Sequence, residues 1–208
     1  MDINFENKIT WRYGWKHFFG AQDKLLADSD NTLFICIVRD PVNWLNSCYR
    51  NMHHFPLQHK HLPEIEQIDT FLNKEFWSAH DDTGEEILED RNIYTGNRYK
   101  NIFELRHTKI RWMVEDLPKK VKNSIFITYE ELVNDFENTL VKIKNKGLTI
   151  KDANNFPINS TDYKNNKLKF FIPKEHIKEL NKFSKEDILS NPNFIPFYEN
   201  KLYYNDTI

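Results

Sequence analysis

Glycine is scarce in this chain of 208 residues, which contains only Gly14, Gly20, Gly84, Gly96 and Gly147. None of them stands in a GxxxxGKS/T-like or GxGxxG-like context, so the sequence lacks the loop whose backbone N–H groups cradle phosphates. Nucleotide kinases need such a loop to hold the transferring phosphate. The absence of this loop therefore counts strongly against a relative of the nucleotide kinases.

Other absences exclude further classes of protein. The chain has no apolar run of about 18 residues, which predicts no membrane span. The opening MDINFENK is polar and acidic, unlike a signal peptide, so we expect a soluble, cytoplasmic protein. Lys and Arg number 29 against 31 Asp and Glu, a net charge of −2, which argues against a dedicated nucleic-acid binder. Two cysteines, Cys36 and Cys48, give no disulfide framework, and we expect both to be reduced.

One apolar segment runs directly into a helical pattern. Thr32 to Val38 (TLFICIV) is rich in β-branched residues, which favours a central parallel strand buried on both faces. Asp40 can cap the helix that follows, and Pro41 suits its first turn. Arg39 then lies just past the strand, where open α/β sheets bind ligands, and Ser47 lies about two turns into the helix. A guanidinium and a hydroxyl in these places predict a clamp for a terminal phosphate.

The segment RDPVNWLNS, from Arg39 to Ser47, resembles the 3′-phosphate-binding segment of sulfotransferases that use PAPS (3′-phosphoadenosine 5′-phosphosulfate). That family places an arginine at the end of a strand and a serine eight residues later, and both hold the 3′-phosphate. The resemblance implies this role for Arg39 and Ser47, with PAPS or its product PAP as co-substrate and no metal. The residues alone also fit an ordinary strand-to-helix turn with Arg39 in a surface ion pair.

A second segment, WRYGWKHFF, places His17 at the interval before Arg39 at which cytosolic sulfotransferases carry their catalytic histidine. The resemblance implies that His17 takes the proton from an attacking hydroxyl. It also implies that Lys16 stabilises the sulfonate or the departing phosphate by its charge. The alternative is that the neighbouring aromatic residues are core and His17 is a satisfied polar neighbour.

A third segment, SIFITYEELVND, predicts a buried strand that ends at Tyr129 and continues as a helix. In sulfotransferases a strand ending in Tyr-Glu-x-hydrophobic occupies this place, so the resemblance implies that Tyr129 approaches the adenine; a tyrosine that closes the core is the alternative. The family closes its site with a late basic loop. Here Lys164 or Lys167 could supply a point charge to the 3′-phosphate, although solvated lysines are the alternative interpretation.

Two groups of residues remain open in their interpretation. The basic face Arg106, Lys109 and Arg111 on a predicted helix is either solvated or helps to hold an anionic nucleotide. The cluster of His53, His54, His59 and His61 could bind a transition metal, line the acceptor pocket or simply be exposed. The polar, acidic segment from residue 78 to 97 is expected to lie over the active face.

The expected fold is a single α/β domain over residues 1–208, a three-layer parallel sheet flanked by helices. It is sulfotransferase-like or P-loop NTPase-like and N-terminally abbreviated. We predict strands at 9–15, 32–38 and 125–128 and helices at 22–27, 42–52, 64–76, 101–116, 130–146, 173–182 and 193–204. Either the first βα unit is missing, or the feature that binds the sulfonate end has been lost.

The expected function is transfer of a sulfonate from PAPS to a hydroxyl or amine of a small-molecule or glycan acceptor, without nucleic acid. The alternative is a catalytically inactive protein of the same fold that binds a 3′-phosphoadenosine nucleotide or a protein partner. No loop carries a mark specific to one acceptor.

Overall fold

A computed structural model describes residues 23–27, 29–147, 159–162, 167–170 and 181–204. The predicted strand at 9–15 and most of the predicted helix at 173–182 lie outside these residues. The described helices of α type are α1 Asp23–Leu26, α2 Pro41–Arg50, α3 Leu57–Lys60, α4 Glu64–Asn73, α5 Ile102–Arg111, α6 Leu117–Lys120, α7 Tyr129–Asn134, α8 Phe136–Lys144, α9 Lys185–Leu189 and α10 Pro196–Glu199. The strands are β1 Phe34–Val38, β2 Ser124–Thr128, β3 Asn159–Asp162 and β4 Lys167–Phe170.

Strands β1 and β2 pair in parallel, in a register that runs from Phe34 opposite Ser124 to Val38 opposite Thr128. Both strands were predicted, and the chain is α/β. Because the strands end opposite each other, the next residues, Arg39 and Tyr129, stand side by side at one edge of the sheet. The described parallel sheet has these two strands only, so the wider three-layer sheet remains a prediction.

The prediction that β1 is buried on both faces is wrong. Phe34 and Cys36 pack with Phe126 against a core cluster, whereas Ile35 and Ile37 on the other face are 42% and 51% exposed. Successive side chains of a strand point to opposite faces, so helices that cover one face leave alternate residues uncovered. A continuous apolar run does not reveal this, since both faces of the strand are apolar.

The larger core cluster is rich in aromatic rings and joins α2, α4 and α5 to the C-terminal part of the chain. Phe71 stacks on Phe55 with ring centroids 5.4 Å apart and on Phe183 at 5.8 Å. The buried side-chain amide of Asn46 both accepts and donates hydrogen bonds. Its Oδ1 accepts from the N–H groups of Lys182 (2.7 Å) and Phe183 (2.9 Å). Its Nδ2 donates to the carbonyls of Val42 and Phe183, each at 2.9 Å. Helix α2 is thereby fixed in place.

Several predicted elements differ in extent from the structure. The predicted helix at 101–116 is α5 followed by a π-helical segment, Trp112–Asp116. The predicted helix at 130–146 is two helices, because Asp135 has non-helical dihedrals of φ −140° and ψ 54°. The C-terminal aromatic segment forms α10 and a π-helical turn, Asn200–Tyr204.

Strands β3 and β4 pair in antiparallel fashion, with Asn159 opposite Phe170 and Asp162 opposite Lys167. Within the described ranges, no helix combines the length and the apolar character that crossing a bilayer requires.

Candidate functional site

A cavity of about 590 Å³ lies at the edge of the sheet where β1 and β2 end. Arg39, Ser47 and Tyr129, the described members of the predicted binding set, all line it. The rest of its wall is formed by Ile37, Val38, Trp44, Cys48, Asn51, His53, His54, Phe55, Phe76, Ser78, Asp90, Leu105, Arg106, Lys109, Ile110 and Met113. The two side chains expected to converge on one phosphate therefore face one common space.

Local sequence explains how Arg39 and Ser47 reach the same cavity. The Asp40 carboxylate accepts hydrogen bonds from the N–H groups of Val42 (3.0 Å) and Asn43 (3.1 Å), so α2 begins directly after β1, as predicted. The Asp40 N–H donates to Glu130 Oε1 at 3.1 Å, which ties the ends of the two strands together. Ser47 then lies two turns along α2 and lines the same cavity as Arg39.

Arg39 is half-buried, and no carboxylate among the described residues forms an ion pair with it. Its guanidinium carbon lies 5.0 Å from the centre of the Tyr129 ring. Its Nε is buried and has no hydrogen-bond partner within the described part of the chain. A buried donor without a partner costs about 1–3 kcal/mol, so such groups are rare and call for an explanation. The arrangement does not fit a surface ion pair and suits an anionic ligand.

Arg106 supports this edge of the cavity from α5. Its Nε and Nη2 contact the two carboxylate oxygens of Glu199 at 2.5 and 2.9 Å, and both side chains are almost fully buried. Nη2 also donates to the carbonyl of Arg39 at 2.7 Å. Burial alone would lower the pKa of Arg106, but the hydrogen bonds and charge of Glu199 outweigh it and raise that pKa. Arg106 is thus a fixed cation that holds the backbone of Arg39.

A second buried ion pair lies in the cavity wall. Lys109 Nζ contacts the carboxylate oxygens of Asp90 at 2.8 and 3.0 Å, and the Ser78 hydroxyl donates to the same carboxylate. Burial lowers the pKa of Lys109, and the charge of Asp90 acts against that shift. Asp90 balances the charge of Lys109, and Glu199 balances the charge of Arg106. Arg39 is therefore the cation of this wall that no described carboxylate balances.

The basic face of α5 is not simply solvated. Arg106 and Lys109 line the cavity and are paired with Glu199 and Asp90, whereas Arg111 is not part of the cavity wall. Arg111 is half-exposed, 3.5 Å from Glu115 and over the Tyr94 ring at 4.2 Å. Ser78 and Asp90 come from the polar segment that was expected to lie over the active face, and both line the cavity.

The four clustered histidines divide by environment. His53 and His54 line the cavity, His61 is exposed, and His59 is buried among the rings of Phe55, Phe76 and Trp77. Burial lowers the pKa of His59. In the described ranges no three His, Cys, Asp or Glu side chains are grouped as metal ligands. His53 and His54 thus line the cavity, and the side chain of His53 is also largely exposed.

The pKa of the Cys48 thiol is affected by the cations of the cavity wall. Burial raises its pKa to about 12, and the charges of Arg106, Lys109 and Arg39 act against that shift. Cys36 has its pKa raised to about 11 by burial. Both cysteines are free thiols, and at neutral pH both remain protonated.

The remaining predicted site residues, Lys16, His17 and Lys164, lie outside the described residues. Sequence reasoning missed the contacts of Asp90 with Ser78 and Lys109, because no spacing or motif connects Ser78 and Asp90 with α5. The contact of Arg106 with Glu199 could not be predicted from the sequence either, because the two residues are 93 positions apart. Comparisons with protein-family models, curated proteins and solved structures returned no match.

Proposed function

We propose that the cavity binds a 3′-phosphorylated adenine nucleotide and that the chain is a sulfotransferase-like enzyme. It would move a sulfonate group from PAPS to a hydroxyl or amine of a small-molecule or glycan acceptor. One observation carries the proposal. Arg39, Ser47 and Tyr129 line one cavity, and no described carboxylate neutralises Arg39.

The residues present fit the chemistry of such a nucleotide. A guanidinium offers a planar set of donors to phosphate oxygens, and the Ser47 hydroxyl can donate to the same group. The Tyr129 ring supplies an aromatic face next to that charge, at a distance suited to a cation–π contact with Arg39. The volume of about 590 Å³ lies within the range of roughly 300–1,000 Å³ typical of small-molecule sites.

The proposal includes a wider fold and a catalytic set. The two described parallel strands would belong to a larger three-layer, sulfotransferase-like sheet. His17 is the sequence-based candidate for the proton acceptor, Lys16 for the stabilising charge and Lys164 for a further contact to the 3′-phosphate. These three assignments rest on the sequence resemblance alone.

A second candidate function is favoured by one observation, the absence of a glycine-rich phosphate loop from the whole sequence. That loop would hold the 5′ end of PAPS, so a protein without it could bind the nucleotide and not transfer the sulfonate. This candidate is a non-catalytic protein that binds a 3′-phosphoadenosine nucleotide or a protein partner.

Thermal-shift measurements with PAP (adenosine 3′,5′-bisphosphate), AMP and ATP test the binding step. We expect PAP to raise the melting temperature more than AMP or ATP, and Arg39→Ala to lose that effect. Arg50→Ala, in the last turn of the helix that follows Arg39, is a matched control, because Arg50 bonds Asn181 outside the cavity wall. Equal stabilisation by AMP, or an unchanged PAP response in Arg39→Ala, would contradict the proposal.

Transfer of labelled sulfonate from PAPS to a panel of sugars, lipids and phenols separates the two candidates. Labelled product with at least one acceptor supports the enzyme. PAP binding without labelled product on any acceptor supports the non-catalytic protein. His17→Ala should abolish transfer with nearly unchanged PAP affinity if His17 is the base, whereas loss of both would mean that His17 is structural.

A further inference from the structure

His54 has a left-handed backbone conformation, with φ 60°, and is the one non-glycine residue with positive φ among those described. Its N–H donates to Asp81 Oδ1 at 2.8 Å, and its carbonyl accepts from the Ala79 N–H at 2.9 Å. This conformation costs about 1–2 kcal/mol for a residue with a Cβ. Glycine would adopt it without this cost, so His54 holds a mildly strained conformation here.

The imidazole of His54 lines the cavity, and its side chain is 34% exposed. Its Nδ1 is buried and lies 3.7 Å from Asp81 Oδ2. A nitrogen lone pair facing a carboxylate is repelled, so the neutral ring favours the tautomer with its proton on Nδ1. In this tautomer, Nε2 carries the lone pair that can accept a proton.

Asp81 is well fixed for orienting the ring. It accepts from Lys60 Nζ at 2.8 Å and lies 3.2 Å from His53 Nδ1, in addition to the His54 N–H. Burial alone would raise the pKa of Asp81, but these donors outweigh it and bring that pKa well below its ordinary range. The carboxylate is therefore charged at neutral pH, and the charged or titratable groups of the described residues that surround it are Lys60, His53 and His54.

We infer that His54, oriented by Asp81, is the proton acceptor for the hydroxyl of an acceptor bound in the cavity. The inference rests on the proposed function. The acceptor O–H proton passes to the His54 imidazole while the acceptor oxygen forms its bond to the sulfonate sulfur. The bond from sulfur to the 5′-phosphate oxygen breaks, and its electron pair leaves with the nucleotide. General-base catalysis of this kind contributes about 10²–10⁴-fold to a rate.

The neighbouring histidines suit this role less well. The His53 side chain is 76% exposed at the rim of the cavity, where solvent competes for its ring nitrogens. His59 is only 1% exposed and is surrounded by aromatic rings. His54 is the cavity histidine that combines partial burial with a charged carboxylate at Nδ1.

His54→Asn and His54→Gly test the inference with little risk to folding, because both residues adopt positive φ readily. We expect each variant to lose about 10²–10⁴-fold of the transfer rate while its PAP affinity stays within about 2-fold of the natural protein. Added imidazole should restore part of the rate in His54→Gly, which a merely structural role would not allow. His61→Asn, at an exposed histidine outside the cavity wall, is the matched control and should behave as the natural protein.

A measurement without turnover tests the orientation. Nitrogen-15 NMR of the neutral imidazole should show His54 protonated on Nδ1, and Asp81→Asn should shift the population towards Nε2–H. A dominant Nε2–H tautomer in the natural protein would overturn the role of Asp81.

A natural transfer rate in His54→Asn would overturn the inference and leave the proposed function intact. Loss of transfer in His17→Asn alone would likewise assign the base to His17. Failure of the natural protein to bind PAP would instead remove the proposed function, and the inference with it.

Discussion

Replacing Arg106 by methionine should destabilise the protein strongly, because Glu199 would remain buried without its partner. The Glu199 residue is 3% exposed and its carboxylate contacts Arg106 through both oxygens. Breaking a buried pair by removing one partner costs about 3–5 kcal/mol. That cost is a large fraction of the 5–15 kcal/mol typical of a domain's free energy of unfolding.

The double variant Arg106→Met/Glu199→Met separates an unpaired charge from lost packing. Buried ion pairs replaced by apolar residues of similar volume are often neutral or stabilising, by up to about 1–4 kcal/mol. We therefore expect the double variant to recover most of the stability lost in the single variant. The pairwise coupling energy is the difference between the double variant's loss and the sum of the single losses.

Urea unfolding, followed by tryptophan fluorescence, measures these differences. With a slope of about 2 kcal/mol per molar urea, a loss of 4 kcal/mol lowers the midpoint by about 2 M. PAP binding should remain weaker in the double variant than in the natural protein even when stability is restored, because the Arg39 carbonyl still lacks the Arg106 donor. A single-variant loss below about 1 kcal/mol, or a double-variant loss equal to the sum of the singles, would refute this reasoning.

Three further predictions concern stability. Glu86→Gln should cost about 1 kcal/mol at neutral pH and flatten the acid-unfolding curve between pH 4.5 and 2, because two arginine partners lower the pKa of Glu86 to about 2. The natural carboxylate stabilises the fold above pH 4.5, and this contribution is lost as pH falls through its folded-state pKa. Gly84→Ala should cost more than Gly96→Ala: both have φ +72°, but a Cβ at Gly84 would lie 2.5 Å from Leu57 Cδ1, whereas Gly96 has nothing within 4 Å. Asn46→Ala should cost about 2–4 kcal/mol in urea unfolding, because two buried backbone N–H groups lose their acceptor.

Matched variants keep each of these tests specific. Glu85→Gln should leave the acid-unfolding curve unchanged, because the Glu85 side chain is exposed and forms no ion pair with a described residue, unlike the adjacent Glu86. Leu57→Ala should reduce the extra cost of Gly84→Ala to the value seen at Gly96, because it removes the atoms that the new Cβ would meet. Asn43→Ala, on the same helix as Asn46, should change stability by less than about 0.5 kcal/mol. Equal losses within any of these pairs would count against the structural reason given.

Local sequence was sufficient to predict the edge of the sheet that carries the candidate site. Arg39 and Tyr129 each follow an apolar run that forms a strand, and Ser47 follows Arg39 at a spacing that a helix brings back to the same side. These features depend on residues close in sequence. The cavity lined by Arg39, Ser47 and Tyr129 could therefore be anticipated.

The supporting polar contacts could not be anticipated, because they join distant parts of the chain. Arg106 meets Glu199 across 93 positions, and Asp90 meets Lys109 from a segment without regular periodicity. The exposure of Ile35 and Ile37 was missed for a related reason. The burial of a strand face depends on which helices pack against it, and an apolar run does not encode that information.

The central claim is that Arg39 binds the 3′-phosphate of an adenine nucleotide. Calorimetric titration of PAP and AMP into the natural protein and into Arg39→Ala tests it most directly, because the two ligands differ only in that phosphate. A hydrogen bond to a charged group contributes about 1.5–3 kcal/mol, so the preference for PAP over AMP should fall by about 10–150-fold in the variant while AMP affinity changes little. An unchanged preference, or an equal loss of affinity for both nucleotides, would contradict the claim.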